Sequence, residues 1–137
     1  MTTAREIMSR DVTCAQEKDS LADAARKMAE LNVGSLPICG DDNRLHGMIT
    51  DRDIVVKAVA QGRNPGEVLA GELAQGKPVT IGADDDAAEI LRTMAQHKVR
   101  RLPVIDGHQL VGIVAVADVA RALPDNPVGD LIDAISE

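Results

Sequence analysis

One stretch of this chain occurs twice, and that repetition limits the fold more than any other feature. Met28-Ala29-Glu30-Leu31-Asn32-Val33-Gly34-Ser35-Leu36-Pro37-Ile38 returns as Met94-Ala95-Gln96-His97-Lys98-Val99-Arg100-Arg101-Leu102-Pro103-Val104, an offset of 66 residues. Leu45-His46-Gly47-Met48-Ile49 returns as Leu110-Val111-Gly112-Ile113-Val114 at an offset of 65, and Asp53 then matches Asp118. Upstream, Val12-Thr13 matches Val79-Thr80 at an offset of 67. The expected organisation is a first repeat over 7–60, a linker over 61–72, a second repeat over 73–123 and a tail over 124–137. In the tail, Leu131, Ile132 and Ile135 have helical spacing.

Each copy reads as β-α-β-β-α. A short β-branched piece comes first, Val12-Thr13 or Val79-Thr80-Ile81. A helix follows, capped by Asp19 or Ser20 in the first copy, with Leu21, Ala24, Ala25, Met28 and Leu31 as its apolar stripe. The second copy has Ala87, Ile90, Leu91 and Met94 behind an Asp84–Asp86 run that suits a helix N-terminus. Two strands come next, Leu36–Cys39 with Leu45–Ile49, and Leu102–Ile105 with Leu110–Val116. Gly40–Asn43 and Asp106–His108 read as the hairpin turns between them. The last helices begin near Asp51 and Ala117. A unit of roughly 50 residues cannot bury its sheet alone. The reading is therefore an α/β (α+β) globule of two repeats with pseudo-twofold symmetry, sheets inside and helices outside, and a ligand cleft between them.

Composition removes whole function classes. There is no Phe, Tyr or Trp among 137 residues, so the chain has no aromatic shelf of the usual single-strand and RNA-binding kind and no aromatic cage for a cation. A net charge of −7 disfavours nucleic-acid backbones and anionic membrane surfaces. No apolar run approaches a membrane span of about 20 residues. The first residues form no apolar h-region, so the expected location is the cytoplasm. Walker loops, nucleophile elbows and paired catalytic acids do not occur, which reads as a protein that is not an enzyme. Cys14, Cys39, His46, His97 and His108 lack the spacing of a metal site, so no metal is expected.

Two such repeats resemble a tandem cystathionine-β-synthase (CBS) domain pair, the Bateman module. Each has a Val-x-x-Leu-Pro-Ile/Val strand and a Gly-x-x-x-x-x-Asp stretch. Leu36–Asp42 with Leu45–Val55 looks particularly like the small stand-alone actinobacterial CBS proteins of the hypoxic-response type. The resemblance implies a non-catalytic regulatory sensor that binds an adenine nucleotide (AMP, ADP or ATP), forms a homodimer and signals to a downstream protein.

The family motif for ribose and phosphate is Gly-h-x-Thr/Ser-x-x-Asp, present whole as Gly47-Met48-Ile49-Thr50-Asp51-Arg52-Asp53. A helix N-terminus there offers N–H groups to an anion, Asp53 can accept from ribose hydroxyls, and Arg52 adds charge. The same Thr-x-x-Asp is equally a helix cap. The second copy has Ala115 for the hydroxyl and keeps Asp118, which makes a degenerate site. In related modules, residues before the Leu-Pro strand reach the ligand held by the other repeat's Asp. Here those are Arg100 and Arg101 against Gly34 and Ser35, so one competent site per chain is expected. A solvated surface pair is the other reading of the two arginines. The base would lie against Val12, Ile38 and Met48.

Cys14 and Cys39 stand at strand ends of the first repeat, opposite Ile81 and Ile105 in the second. The two ends converge, so a Cys14–Cys39 disulfide is open to them; two buried thiols acting as small hydrophobes is the alternative. Nucleotide sensing is thus the leading expectation. The alternative is an interaction or stress- and redox-responsive CBS protein that binds no nucleotide and is gated by that disulfide.

Overall fold

In the computed structural model, which describes residues 2–74 and 78–123, the two copies of the repeat fold to one plan. The elements in chain order are α1 (Ala4–Ile7), β1 (Ala15–Gln16), α2 (Leu21–Leu31), β2 (Ser35–Cys39), β3 (Leu45–Thr50) and α3 (Asp51–Lys57), followed by a 3-10 turn at Val59–Gln61. Then come α4 (Ala70–Leu73), β4 (Ile81–Gly82), α5 (Ala87–His97), β5 (Arg101–Asp106), β6 (Gln109–Ala115) and α6 (Val116–Ala122). The chain forms two compact units. The first-repeat unit spans 13–78; the second combines the N-terminal segment to Val12 with the chain from Val79 onward.

In the first-repeat unit the sheet order is β1-β2-β3, with β1 parallel to β2 and β2 antiparallel to β3. In the second it is β4-β5-β6 with the same senses. The register slips once in each unit, at Ile38/Cys39 and at Val104/Ile105, positions 66 residues apart. Helix α2 starts where the Ser20 hydroxyl accepts from the Asp23 amide and stops where Asn32 turns left-handed (φ 55°). Helix α5 starts at Asp86 and stops at Lys98 (φ 54°) in the same way. Leu21, Ala24 and Met28 of α2 face the first core, while Ala87, Ile90 and Met94 of α5 are buried in the second unit. Fully buried Leu, Ile, Val and Met side chains each contribute roughly 1.5–3 kcal/mol. Surface ion pairs contribute under about 1 kcal/mol, so the aliphatic cores hold the units together.

Two expectations need correction. The opening strand is at Ala15–Gln16, not Val12-Thr13, and its partner is at Ile81–Gly82. Pairing to β2 and β5 sets these positions and overrides β-branched propensity, while Val12 donates to the Arg10 carbonyl in a turn. Because Ala15 pairs with Ile38 and Ile81 with Val104, the counterpart of Cys14 is Thr80 rather than Ile81. The segment 61–72 is also more than a connector. Val68 and Ala70 are buried, and the amides of Ala70 and Gly71 donate to the carbonyls of Asp19 and Glu17 at 2.7 and 2.8 Å. These bonds satisfy backbone groups of the β1–α2 loop that would otherwise lack partners. The second unit does the same with the N-terminus: Ala4 and Arg5 donate to Asp85 and Ala83, both at 2.9 Å. The expected tail helix over 124–137 lies outside the described residues.

Two glycines seat these borrowed segments. A Cβ on Gly47 would stand 2.8 Å from the Ala74 Cβ, and one on Gly112 would stand 2.8 Å from the Ser9 carbonyl oxygen and Met8 Cγ. Met8 can move, but Ser9 exchanges two backbone bonds with Ile113 and cannot. Gly112→Val should therefore lower the unfolding free energy by about 1–3 kcal/mol, as overpacking does. Denaturant unfolding at unchanged m-value checks this.

Candidate functional site

Strand β3 ends at Thr50 and α3 begins at Asp51, so the nucleotide motif sits on a strand-to-helix junction. There Thr50 and Asp53 bind each other. The Thr50 amide donates to Asp53 Oδ2 at 3.0 Å, and the Asp53 amide donates to Thr50 Oγ1 at 3.0 Å. This is a reciprocal capping box. Asp53 Oδ1 lies 3.2 Å from Lys57 Nζ, one turn along α3. Both carboxylate oxygens thus have partners within the helix. Arg52 is exposed, and its backbone amide donates to Asp51.

The second copy keeps half of this cap. The Ala115 amide donates to Asp118 Oδ2 at 2.7 Å, with no hydroxyl to return the bond, and Asp118 pairs with Arg121. Arg100 and Arg101 stand at the start of β5 in the second unit, both exposed, and the Arg100 carbonyl accepts from Val116. Met48 is partly exposed on β3. Ile38 is wholly buried in the first-repeat core beside Leu36 and Ile49, rather than open to a ligand. Val12 lies in the loop before β1, outside any strand.

The first repeat carries a second constellation at the opposite end of its strands. Cys14 and Cys39 are joined by a disulfide, with Cα atoms 5.7 Å apart and a sequence separation of 25. The bridge fastens the residue before β1 to the last residue of β2. Lys27, reaching from α2, donates to the Cys14 carbonyl at 3.2 Å and to Asp19 Oδ2 at 3.0 Å. The same Asp19 oxygen accepts from the Gln16 amide at 2.9 Å. That backbone bond, helped by the Lys27 ammonium, holds the Asp19 carboxyl below the usual carboxylate range. A small hollow of about 290 Å³ opens alongside, lined by Gln16, Glu17, Lys18, Cys39, Gly40, Asp41 and His46. His46 contacts Glu17 across it.

Half of this constellation is shared with the second repeat, where Asp85 Oδ2 accepts from the Gly82 amide at 2.8 Å. The rest is not. At an offset of 66, Thr80, Ile105 and Thr93 stand where Cys14, Cys39 and Lys27 stand in the first repeat. The bridge and its lysine are additions to one copy of a duplicated frame.

The model of the CBS domain matches this chain twice, over residues 4–59 and 70–125. The chain belongs to the CBS-domain family. Hypoxic response protein 1 of Mycobacterium tuberculosis is 51% identical over 135 residues, covering 98% of this chain and 94% of the relative. The crystal structure of Hypoxic Response Protein I with two coordinated zinc ions superposes with a TM-score of 0.83 at 54% identity, covering 90% of this chain and all of that one. The CBS domain pair of protein MJ0100, in complex with 5'-methylthioadenosine and S-adenosyl-L-methionine, gives a TM-score of 0.77 at 28% identity, covering 89% and 95%. CBS pairs of this kind are regulatory modules and not catalysts. Among the described residues, no group of three His, Cys, Asp or Glu side chains is arranged to hold a metal ion. Cys14 and Cys39, joined to each other, offer no thiolate. No helix among them is long and apolar enough to cross a membrane.

Two features of the CBS repeat escaped the sequence reading. The borrowed turns had a signal: Ala4-Arg5-Glu6-Ile7 matches Ala70-Gly71-Glu72-Leu73 at the same offset of 66 as the repeat body. Lys27 had none, because its role needs the β1–α2 loop folded back on α2. The Asp19–Lys27 pair has a pH signature. A carboxyl depressed in the folded state contributes stability above its unfolded pKa and loses it as pH falls through the folded one. Wild-type stability should therefore fall as pH drops below about 4. Asp19→Asn should remove part of that loss and cost about 1 kcal/mol at pH 7, measured by thermal unfolding across pH.

Proposed function

We propose that this chain is a non-catalytic CBS module responsive to redox state, in which the Cys14–Cys39 bridge is the input. The bridge carries the reading: it ties the residue before β1 to the last residue of β2, and the second repeat builds the same sheet without one. A feature that the frame can do without is free to be made and broken. Likeness to a hypoxic response protein over nearly the whole chain supports a role in stress. The reading takes the cytoplasm as the compartment, where a disulfide is usually transient and redox-sensing. Its output is a change in how the first repeat meets a protein partner or a second copy. The exposed Leu31, Val55, Val56 and Val59, all from this repeat, support such a surface.

Adenine-nucleotide sensing is the less favoured reading. A relative of 28% identity is crystallised with adenosine derivatives, and Thr50, Asp53 and Arg52 carry the family motif. Against it, the Thr50 hydroxyl and both Asp53 oxygens already have partners in the α3 cap. A nucleotide would have to share Asp53 with the cap and with Lys57, and the degenerate copy at Ala115 and Asp118 offers less. If one binds, Arg100 and Arg101 are the cations to supply phosphate contacts.

Two measurements separate these readings. Closing a loop of 25 residues stabilises a domain by about 3 kcal/mol through the unfolded chain. Reduction should thus lower the unfolding free energy of the first repeat by that order, and a Cys14→Ser, Cys39→Ser double variant should not respond to reductant. Calorimetric titration with AMP, ADP and ATP should give no saturable heat in either redox state. Saturation near one nucleotide per chain, abolished by Asp53→Ala, would restore the sensing reading.

A further inference from the structure

Resting on the redox reading, we propose that Cys14 is the sulfur at which an external thiol opens the bridge, and hence the residue that carries the mixed disulfide with a low-molecular-weight thiol such as glutathione. The two half-cystines differ sharply in access. Cys39 ends a central strand and is 2% exposed; Cys14 lies in the loop before β1 and is partly exposed. Attack must come in line with the S–S bond from the far side of the sulfur that is struck. Cys14 is a partly exposed loop residue, whereas Cys39 is a buried residue of the sheet.

Charge points the same way. Lys27 Nζ sits 3.2 Å from the Cys14 carbonyl oxygen, paired with Asp19. Paired with Asp19, the ammonium leaves this side of the bridge close to neutral, so an anionic thiol meets no net repulsion from that pair. The hollow that reaches Cys39 is lined by two carboxylates, Glu17 and Asp41, against one lysine, Lys18, with His46 in contact with Glu17. One effect opposes the assignment. Cys39 would leave as a thiolate in apolar surroundings, which raises its pKa and slows departure. With rate sensitivities near 0.5 per pKa unit, a difference of one or two units costs roughly tenfold or less. Cys39 meets solvent only through the floor of that hollow and is 2% exposed, so a thiol the size of glutathione has to displace the hollow's lining before it reaches this sulfur. Access decides.

The reaction balances as two exchanges. A thiolate RS⁻ attacks Cys14 Sγ; the Cys14–Cys39 bond breaks and Cys39 leaves with the electron pair and takes a proton. A second RS⁻ attacks the R-bearing sulfur, releasing RSSR and the Cys14 thiolate. Two thiols are oxidised and one protein disulfide is reduced.

The test uses the full oxidised chain with glutathione, quenched in acid at short times and mapped after tryptic digestion. Cleavage after Arg10, Lys18, Lys27 and Arg44 puts Cys14 in peptide 11–18 and Cys39 in peptide 28–44. Glutathione should appear on 11–18 alone. A second measurement compares Cys39→Ser with Cys14→Ser in reaction with an aromatic disulfide reagent. The free Cys14 should react at least about tenfold faster than the free Cys39 in folded protein, with the difference lost in denaturant. Glutathione on 28–44, or equal rates in the folded variants, overturns the assignment while leaving the redox reading intact. A chain that keeps two free thiols under air overturns both.

Discussion

Strands β1 and β4 are two residues long, and a strand that short cannot hold its place in a sheet by its own ladder. Everything around it in each unit serves to fix it. An aspartate on the following loop, Asp19 or Asp85, accepts from the strand's last amide. A borrowed helical turn, α4 or α1, covers the loop and takes up its carbonyls. Gly47 and Gly112 make room for the segments that follow those turns. The first repeat adds a covalent link at Cys14–Cys39 and a lysine that clamps the same loop. The second repeat shows what the frame achieves without them.

That comparison within one chain bears on function. A disulfide required by a small core is a structural staple. One added to a sheet whose duplicate closes without it is available as a switch, because breaking it leaves a fold that still has its other supports. The energy at stake is about 3 kcal/mol, a large part of the margin of a small domain. On the proposed redox reading, reduction loosens β1 and its loop in preference to unfolding the chain. The Thr50–Asp53 junction, at the other end of β3, is a closed hydrogen-bond ring that also explains the motif as helix capping alone.

Much of this was legible in the sequence. The offset of 66, the Leu-Pro strands and the Thr-x-x-Asp junction give the repeat, its element order and the family. The aliphatic stripe of Leu21, Ala24 and Met28 gives the core face of α2. Where the reading slipped, tertiary contacts overruled local chemistry. Val12-Thr13 has β-branched side chains but no strand partner, while Ala15-Gln16 has weak propensity and pairs with Ile38 and Cys39. Ile38 looks like a wall for a ligand in the sequence, but in the fold it is wholly buried in the first core. The 61–72 segment has turn residues at its start, and only the buried Val68 and Ala70 reveal its docking.

The central claim is that the redox state of Cys14–Cys39 acts on one repeat. Hydrogen–deuterium exchange of oxidised and reduced full-length chain, read by peptide, tests it most directly. The account predicts that reduction speeds exchange across β1, the following loop and the end of β2, and leaves β4 to β6 unchanged. Identical exchange in the two states, or an increase spread evenly over both repeats, would contradict it.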